Sequence, residues 1–192
     1  ALVERMAALF TPGSHVHFSA VEESIEDRQT VLYLEDIATQ AGLNPQFVAV
    51  KAVGTNQAGQ LIDDHNQLIG ALFKLYPWEA LMRSAFAEQL TRSSTLFLEP
   101  LWKAILSNKA ILPLLWERHR GHRNLLPTAF LGTAEADAIA ATPHAIKPFF
   151  SREGADIELF DGQRRVRGPA EGYGAEGRIV QAFAPLARSG DN

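Results

Sequence analysis

Thr30-Val31-Leu32-Tyr33-Leu34-Glu35-Asp36-Ile37-Ala38-Thr39-Gln40-Ala41-Gly42 is the stretch on which the fold turns. Val31, Leu34, Ile37, Ala38 and Ala41 recur at three- and four-residue intervals, which puts them on one face of a helix. Gly42 stands where a helix C-terminus favours a residue without a Cβ. Two apolar runs lie outside this helix. Val16-His17-Phe18-Ser19 alternates and predicts a buried strand, and Phe47 to Val53 predicts a second. Glu22 to Asp27 predicts an acidic loop between the first strand and the helix. Strand, helix and strand in succession predict a parallel, Rossmann-like unit in the first third of the chain.

Beyond it, Gly54 to Gly59 is rich in turn residues, and Leu61 to Asn66 predicts the tip of a hairpin. Pro77 suits the first turn of a helix running to about Leu90, because its missing N–H has no partner to lose there. Thr95 to Leu98 predicts a strand. Leu101 to Trp116 predicts a helical region interrupted at Ser107-Asn108 and at Pro113, with Ser107 able to cap a new helix. In the second half Leu125 to Leu131, Ala145 to Phe150, Ala155 to Phe160 and Ile179 to Phe183 read as strands separated by polar loops. Asp161-Gly162 is a hairpin turn, with Arg164, Arg165 and Arg167 as a basic cluster beside it, and Gly168 to Gly177 predicts a mobile loop. The second half therefore predicts an antiparallel or mixed sheet with flanking helices. The fold class is α/β (mixed α+β), without internal repeats.

The chain has 192 residues, 46% hydrophobic and 21% charged, which suits a globular fold and argues against disorder. It has no cysteine, so disulfides, thiolate nucleophiles and cysteine-bound zinc are excluded. A net charge of −4 gives no electrostatic reason for nucleic acid or membrane binding. No apolar run is long enough to span a bilayer, and Ala1 to Phe10, with Glu4 and Arg5 inside it, reads as a helix and not a signal peptide. A cytoplasmic location is the expectation. Both ends, Ala1 and the polar Arg188-Ser189-Gly190-Asp191-Asn192, read as cut from something larger or trimmed.

Ile146-Lys147-Pro148-Phe149-Phe150-Ser151-Arg152-Glu153-Gly154-Ala155-Asp156 carries the most chemistry. A lysine at a strand end is commonly just a solvated charge. Here a hydroxyl, a glycine and a turn of backbone N–H groups follow it, which together also suit a phosphate clamp. The loop is not a Walker motif, which needs further glycines and Lys-Ser/Thr before a helix. Lys109 stands at a helix start, where the dipole attracts anions, although an exposed lysine on an amphipathic helix is the plainer reading. His15 with His17, and His119 with His122, have spacings compatible with metal, but no carboxylate is placed to complete a site. Gly-x-Ser-x-Gly and zincin motifs are absent. Glu22, Glu23, Glu26 and Asp27 suit a solvated loop or an amine-binding patch. Trp78, Trp102 and Trp116 read as core.

Three stretches taken together carry a resemblance. They are Phe73-Lys74-Leu75-Tyr76-Pro77-Trp78-Glu79, the run from Glu99-Pro100-Leu101-Trp102 through Ser107-Asn108-Lys109-Ala110 to Leu115-Trp116-Glu117, and Lys147-Pro148 with Ser151-Arg152-Glu153-Gly154-Ala155. The chain resembles the synthetase region of the glutathionylspermidine synthase family, a group of ATP-grasp ligases. Val16-His17-Phe18, Ser24 to Asp27, Tyr173-Gly174, Glu176-Gly177 and Gln181-Ala182 add to the likeness, which runs from about residue 2 to the end.

The resemblance implies an ATP-grasp fold with a Rossmann-like pre-ATP-grasp portion, truncated at both ends: residues 1–98 would be the pre-ATP-grasp portion and 99–192 the ATP-grasp portion. It implies an ATP-dependent carboxylate–amine ligase that forms an amide through an acyl phosphate, with a peptide-like carboxylate and an amine as substrates. Lys147 and Arg152 would be catalytic. Lys109, Lys147, Ser151, Arg152, Glu153 and Gly154 would hold the ATP phosphates, with Gln181, Ala182 and Phe183 along the adenine edge. Glu26 and Asp27 match a segment near the amine acceptor. Magnesium is implied as well, with its acidic and asparagine ligands upstream of this chain and a further phosphate-facing lysine downstream. Lys51-Ala52-Val53-Gly54-Thr55 lacks the acidic residues and tryptophan usual there, and Arg120 and Arg123 replace the residues around the usual His-Pro. No amidase part is visible. A nucleotide-binding or assembly module without ligation, and a kinase-like enzyme needing no amine, are the alternatives.

Overall fold

Strand β1 (His15–Ala20) is covered on both faces from Val16 onward, with Val16, Phe18 and Ala20 buried on one face and His17 and Ser19 buried on the other. The computed structural model describes residues 1–84 and 86–185, and these fall into two compact units, one of Ala1–Ala104 and one beginning at Ile105. The fold is mixed α/β, with a parallel sheet in the first unit and an antiparallel sheet in the second.

In the first unit, helix α1 (Leu2–Leu9) precedes β1, and helix α2 (Ile25–Gln40) follows it. Strand β2 (Asn44–Ala49) then pairs in parallel with β1. The expected acidic loop is shorter than the sequence implied. Ser24 caps α2, its Oγ accepting the Asp27 N–H at 3.3 Å, so Glu26 and Asp27 belong to the first helical turn. Acidic side chains are favourable there against the helix dipole. At the other end Gly42 takes φ +77°. Its N–H donates to Thr39 and that of Leu43 to Ala38, the paired bonds of a Schellman stop. The second strand ends at Ala49, and Val50–Ala52 is a 3-10 turn. Strands β3 (Gly54–Thr55) and β4 (Leu61–Ile62) form a hairpin that turns at residues 56–60; the tip expected at Leu61 to Asn66 is instead the following turn, closed by the Asp63 N–H on the Gln67 carbonyl and the Ile62–Leu68 bridge.

Strands β5 (Ala71–Leu75) and β6 (Leu96–Leu98) complete a four-stranded parallel sheet in the order β2-β1-β5-β6. Val16, Phe18 and Ala20 pack with Val31, Ala38, Leu43 and Ala71. A separate cluster joins Val48, Leu61, Ile69 and Leu72. The helix expected from Pro77 to Leu90 is two helices, α3 (Trp78–Arg83) and α4 (Ala87–Arg92). Ser84 ends the first: its Oγ donates to the Leu81 carbonyl and accepts the Phe86 N–H, competing with the helical ladder.

Helix α5 (Ala104–Ser107) carries the chain across the division at Ala104. The second unit opens with a turn at Asn108–Ala110 and helix α6 (Ile111–Arg118). Ser107 is the last residue of α5, and the next helix starts only at Ile111 with Ala110 at its N-cap; Asn108 Oδ1 takes the Ala110 N–H at 2.9 Å. Pro113 is the third residue of α6, among the N–H positions that have no intrahelical partner. Strand β7 (Thr128–Phe130), helix α7 (Ala134–Ala140), and strands β8 (His144–Pro148), β9 (Glu158–Phe160), β10 (Arg165–Arg167) and β11 (Arg178–Ala182) follow. Neighbouring strands are antiparallel in the order β10-β9-β8-β11-β7. Helix α7, read in the sequence as loop, packs Ala136 and Ile139 against Ala129 and Val180. Thr133 caps it through the Ala136 N–H. The polar tail Arg188 to Asn192 lies outside the described residues. No helix among the described residues is long and apolar enough to cross a membrane.

Candidate functional site

The register of the antiparallel sheet decides which side chains meet. Thr128 and Ala145 lie opposite Gln181, and Lys147 lies opposite Ile179. Directly paired residues share a face and alternate residues repeat it, so Thr128, Gln181 and Lys147 stand together on one face. Val180, Ala129 and Ile146 take the other, beneath α7.

On that face Lys147 Nζ donates to Gln181 Oε1 at 2.7 Å. Gln181 Nε2 donates to Thr128 Oγ1 at 3.1 Å, and the Thr128 hydroxyl donates to the Leu126 carbonyl at 2.8 Å. Thr128 and Gln181 are buried and Lys147 is half-buried. Burial holds the Lys147 ammonium below the ordinary lysine pKa, because removing water disfavours the charged form.

Strand β8 runs directly into the loop predicted as a phosphate clamp. Lys109, in the turn before α6, reaches that loop: its Nζ donates to the Ser151 carbonyl at 2.8 Å and to Ser151 Oγ at 3.1 Å. Its backbone N–H donates to the Phe149 carbonyl at 2.8 Å. The structure thus brings together Lys109 and Ser151, 42 residues apart, and links Lys147 to Gln181. Arg152, Glu153 and Gly154 form an exposed tight turn in which the Ala155 N–H donates to the Arg152 carbonyl at 2.8 Å. Glu153 (φ +49°) and Gly154 (φ +80°) supply the two left-handed positions of a type I′ turn.

The glycine-rich segment 168–177 is tied to this loop. The Asp156 carboxylate accepts the N–H groups of Tyr173 at 2.8 Å and Glu171 at 3.0 Å. Arg178 donates to the carbonyls of Asp156 and Tyr173. The Gly168 N–H donates to Ile157, and the Asp156 N–H to Pro169. The Tyr173 N–H, ahead of the other bonds, holds the Asp156 carboxyl below the usual carboxylate range.

Two expected contacts sit differently. The Ala182 N–H donates to the Pro127 carbonyl and the Phe183 N–H to the Pro143 carbonyl, so both donors at the adenine edge have partners within the protein. In the first unit Glu26 is exposed and Asp27 half-buried, in the first turn of α2. The nearby carboxylates of Glu22 and Glu23 bind Lys51. Among the described residues no group of three or more His, Asp or Glu converges to hold a metal ion, so none is assigned to magnesium.

Sequence reading passed over Thr128, Asp156 and Arg178. Thr128 left one signal, a hydroxyl inside the apolar run Pro127-Thr128-Ala129-Phe130. Asp156 and Arg178 left none, since their partners are backbone groups distant in sequence.

The fold is a parallel α/β unit followed by an antiparallel sheet whose half-buried lysine leads into a tight polar turn. The particular family follows from comparison with known proteins. The family model described as glutathionylspermidine synthase preATP-grasp matches residues 1–192, and the chain belongs to that family. A protein of Haemophilus influenzae provisionally named an acid--amine ligase is 37% identical over 173 residues, covering 86% of this chain and 44% of that protein. The bifunctional glutathionylspermidine synthetase/amidase of Escherichia coli is 30% identical over 183 residues, covering 83% of this chain and 29% of its own length. The trypanothione synthetase of Crithidia fasciculata is 27% identical over 197 residues, with 90% and 30% covered. The chain therefore spans less than half the length of these relatives.

Proposed function

We propose that this chain is part of an ATP-dependent carbon–nitrogen ligase that joins a peptide-like carboxylate to an amine through an acyl phosphate. In this reading residues 1–98 are the pre-ATP-grasp portion and 99–192 the ATP-grasp portion. The observation that carries it is the docking of the Lys109 ammonium on Ser151, at the head of the loop that β8 and Lys147 lead into. Two lysines and a hydroxyl-bearing turn are a donor set that fits polyphosphate. A half-buried ammonium has lost part of its water shell, and anionic oxygens replace it with charge-assisted bonds. ATP is the phosphoryl donor. Lys109, Lys147, Ser151 and the 152–154 turn hold its phosphates, and Arg152 covers the transferring group. The loop excludes water that would otherwise hydrolyse the activated carboxylate. Adenine lies at the end of β11, which requires Ala182 and Phe183 to exchange their present carbonyl partners. In this reading magnesium is held by residues outside this chain, and Glu26 and Asp27 belong to a segment near the amine acceptor.

The test uses the complete gene product with glutathione and spermidine as the first acid and amine, the pair suggested by the relatives' names. Lys147→Ala should lower amine-dependent ADP release by at least ~10²-fold, the scale of losing one charge-stabilising donor, with the circular dichroism and melting midpoint unchanged. Undiminished turnover by that variant refutes the assignment.

A further inference from the structure

We propose that Thr128 and Gln181 are positioning residues, a buried relay that sets where the Lys147 ammonium stands and keeps it charged for the nucleotide. This inference rests on Lys147 being a phosphate-binding lysine. Its own content is the direction of three hydrogen bonds.

The relay is anchored at Leu126. The Thr128 hydroxyl has one proton, and it goes to the Leu126 carbonyl at 2.8 Å. What Thr128 has left is acceptor capacity, so its neighbour must donate. Gln181 Nε2 does so at 3.1 Å. The amide is thereby oriented, and its oxygen faces Lys147 Nζ at 2.7 Å. A flipped amide would set an NH2 group against an ammonium, two donors face to face. Thr128 is 2% exposed and Gln181 8% exposed, so water does not supply substitute partners. The sequence of donors is therefore fixed from one end to the other.

The consequence for Lys147 is chemical as well as geometric. An ammonium has three donors, and one goes to Gln181 Oε1. That bond offsets the desolvation of a half-buried cation while no phosphate is present. It also fixes the direction of the remaining two donors. Because an accepting oxygen favours the charged form, loss of the relay lowers the pKa of the amine further. Thr128→Val keeps the shape of the side chain and leaves the Gln181 NH2 without its acceptor. The amide has then lost the bond that holds it in place, so its oxygen is no longer fixed against Lys147 Nζ, although Lys147 itself is untouched. Thr128→Ser keeps both roles of the hydroxyl.

The experiment measures ATP binding to the complete gene product by calorimetry between pH 6 and pH 10, which needs neither the acid nor the amine. Thr128→Val should raise the Kd for ATP about tenfold near pH 8. It should also move the alkaline fall in affinity to lower pH, because the amine has lost an oxygen that favours its charged form. Thr128→Ser should bind as the wild type. Gln181→Leu should show the same shift, and the double variant should be no worse than either single one, as expected of one relay. Wild-type affinity and pH profile in folded Thr128→Val overturn the inference. So does a Thr128→Ser as impaired as Thr128→Val, or strict additivity in the double variant. Should Thr128→Val not fold, the pH profile of Gln181→Leu decides alone, and an unmoved alkaline limb overturns the proposal. Lys147→Ala separates the two levels. If it binds ATP like the wild type, the phosphate assignment itself fails; if it loses ATP while Thr128→Val does not, only the relay fails.

Discussion

Gly168→Ala tests how the phosphate loop is held in place. A Cβ built on Gly168 falls 1.9 Å from the Gly154 carbonyl oxygen and 2.9 Å from its carbon. Real Cβ contacts essentially never fall below 3.0 Å, so the two backbones must separate by at least 1.1 Å. The obstacle is backbone on both sides, and no side-chain rotation relieves it. Separation strains the Gly168 N–H bond to Ile157 at 2.9 Å and the Asp156 N–H bond to Pro169 at 2.8 Å, which join the same two segments. Overpacking of this kind costs about 1–3 kcal/mol, and each weakened bond adds up to about 1 kcal/mol. A loss of about 3 kcal/mol lowers the melting midpoint by roughly 10 °C. Gly154 belongs to the turn assigned to the phosphates, so the movement also reaches the site. A displacement near 1 Å can cost about 10²-fold in turnover. The assay pairs thermal unfolding with amine-dependent ADP release, and Gly70→Ala is the control, since nothing lies within 4 Å of its added Cβ. If Gly168→Ala melts and turns over like Gly70→Ala, the close approach of segment 168–177 does not hold this loop.

Two further outcomes concern buried and strapped carboxylates. Asp63, 6% exposed, accepts His17 Nε2 at 3.3 Å and the N–H groups of His65 at 2.9 Å and Gln67 at 2.7 Å. By urea unfolding Asp63→Ala should cost about 2–4 kcal/mol from three orphaned donors. Asp63→Asn retains the oxygen that serves the two backbone groups and should cost about 1 kcal/mol; equal losses in the two variants contradict this division of roles. The Asp156 carboxyl is held below its ordinary value of 3.8, chiefly by the Tyr173 N–H. A depressed folded-state pKa means that the carboxylate's contribution is complete above about pH 4 and disappears as pH falls through the lower folded value. The stability difference between wild type and Asp156→Asn, a residue that tolerates the φ of +54°, should be constant above pH 4 and vanish in stronger acid. A difference that persists at pH 2 rules out this linkage.

The parallel unit was legible because its signals are local and strong. Val31, Leu34, Ile37, Ala38 and Ala41 recur at helical spacing, Gly42 supplies the left-handed stop, and apolar strands flank both. The errors arose where short-range competition decides. Ser84 splits the helix begun at Trp78, since one hydroxyl both donates to Leu81 and accepts from Phe86. Helix α7 escaped notice although Thr133 caps it and Glu135 and Asp137 follow, because seven mostly alanine residues show too little apolar periodicity. The site was legible only in part. Lys147 and the Ser151 to Gly154 turn are contiguous and could be read directly. The Lys109–Ser151 contact spans 42 residues, and Gln181 and Thr128 are 53 apart. The meeting of Gln181 with Thr128 is set by strand register, which no single segment encodes.

That register supplies the strongest physical case for a ligand. The two faces of the adjoining strands β8, β11 and β7 are composed differently. Beneath α7 the face is Ala129, Ile146 and Val180, a packing surface that needs no polar group. The other face holds Thr128, Gln181 and Lys147 in one hydrogen-bonded line. A sheet needed only for stability would do as well or better with Val, Leu and Met there, because removing a buried polar network together with all its partners is close to neutral and often stabilising. The ammonium in particular is half-buried, and that loss of water pushes its pKa below the ordinary lysine value. An arrangement that opposes desolvation in the empty protein gains most when an anion arrives to complete it. The loop that follows β8, fastened to Lys109 at Ser151 and to segment 168–177 through Asp156, offers a tight turn where such an anion would be met.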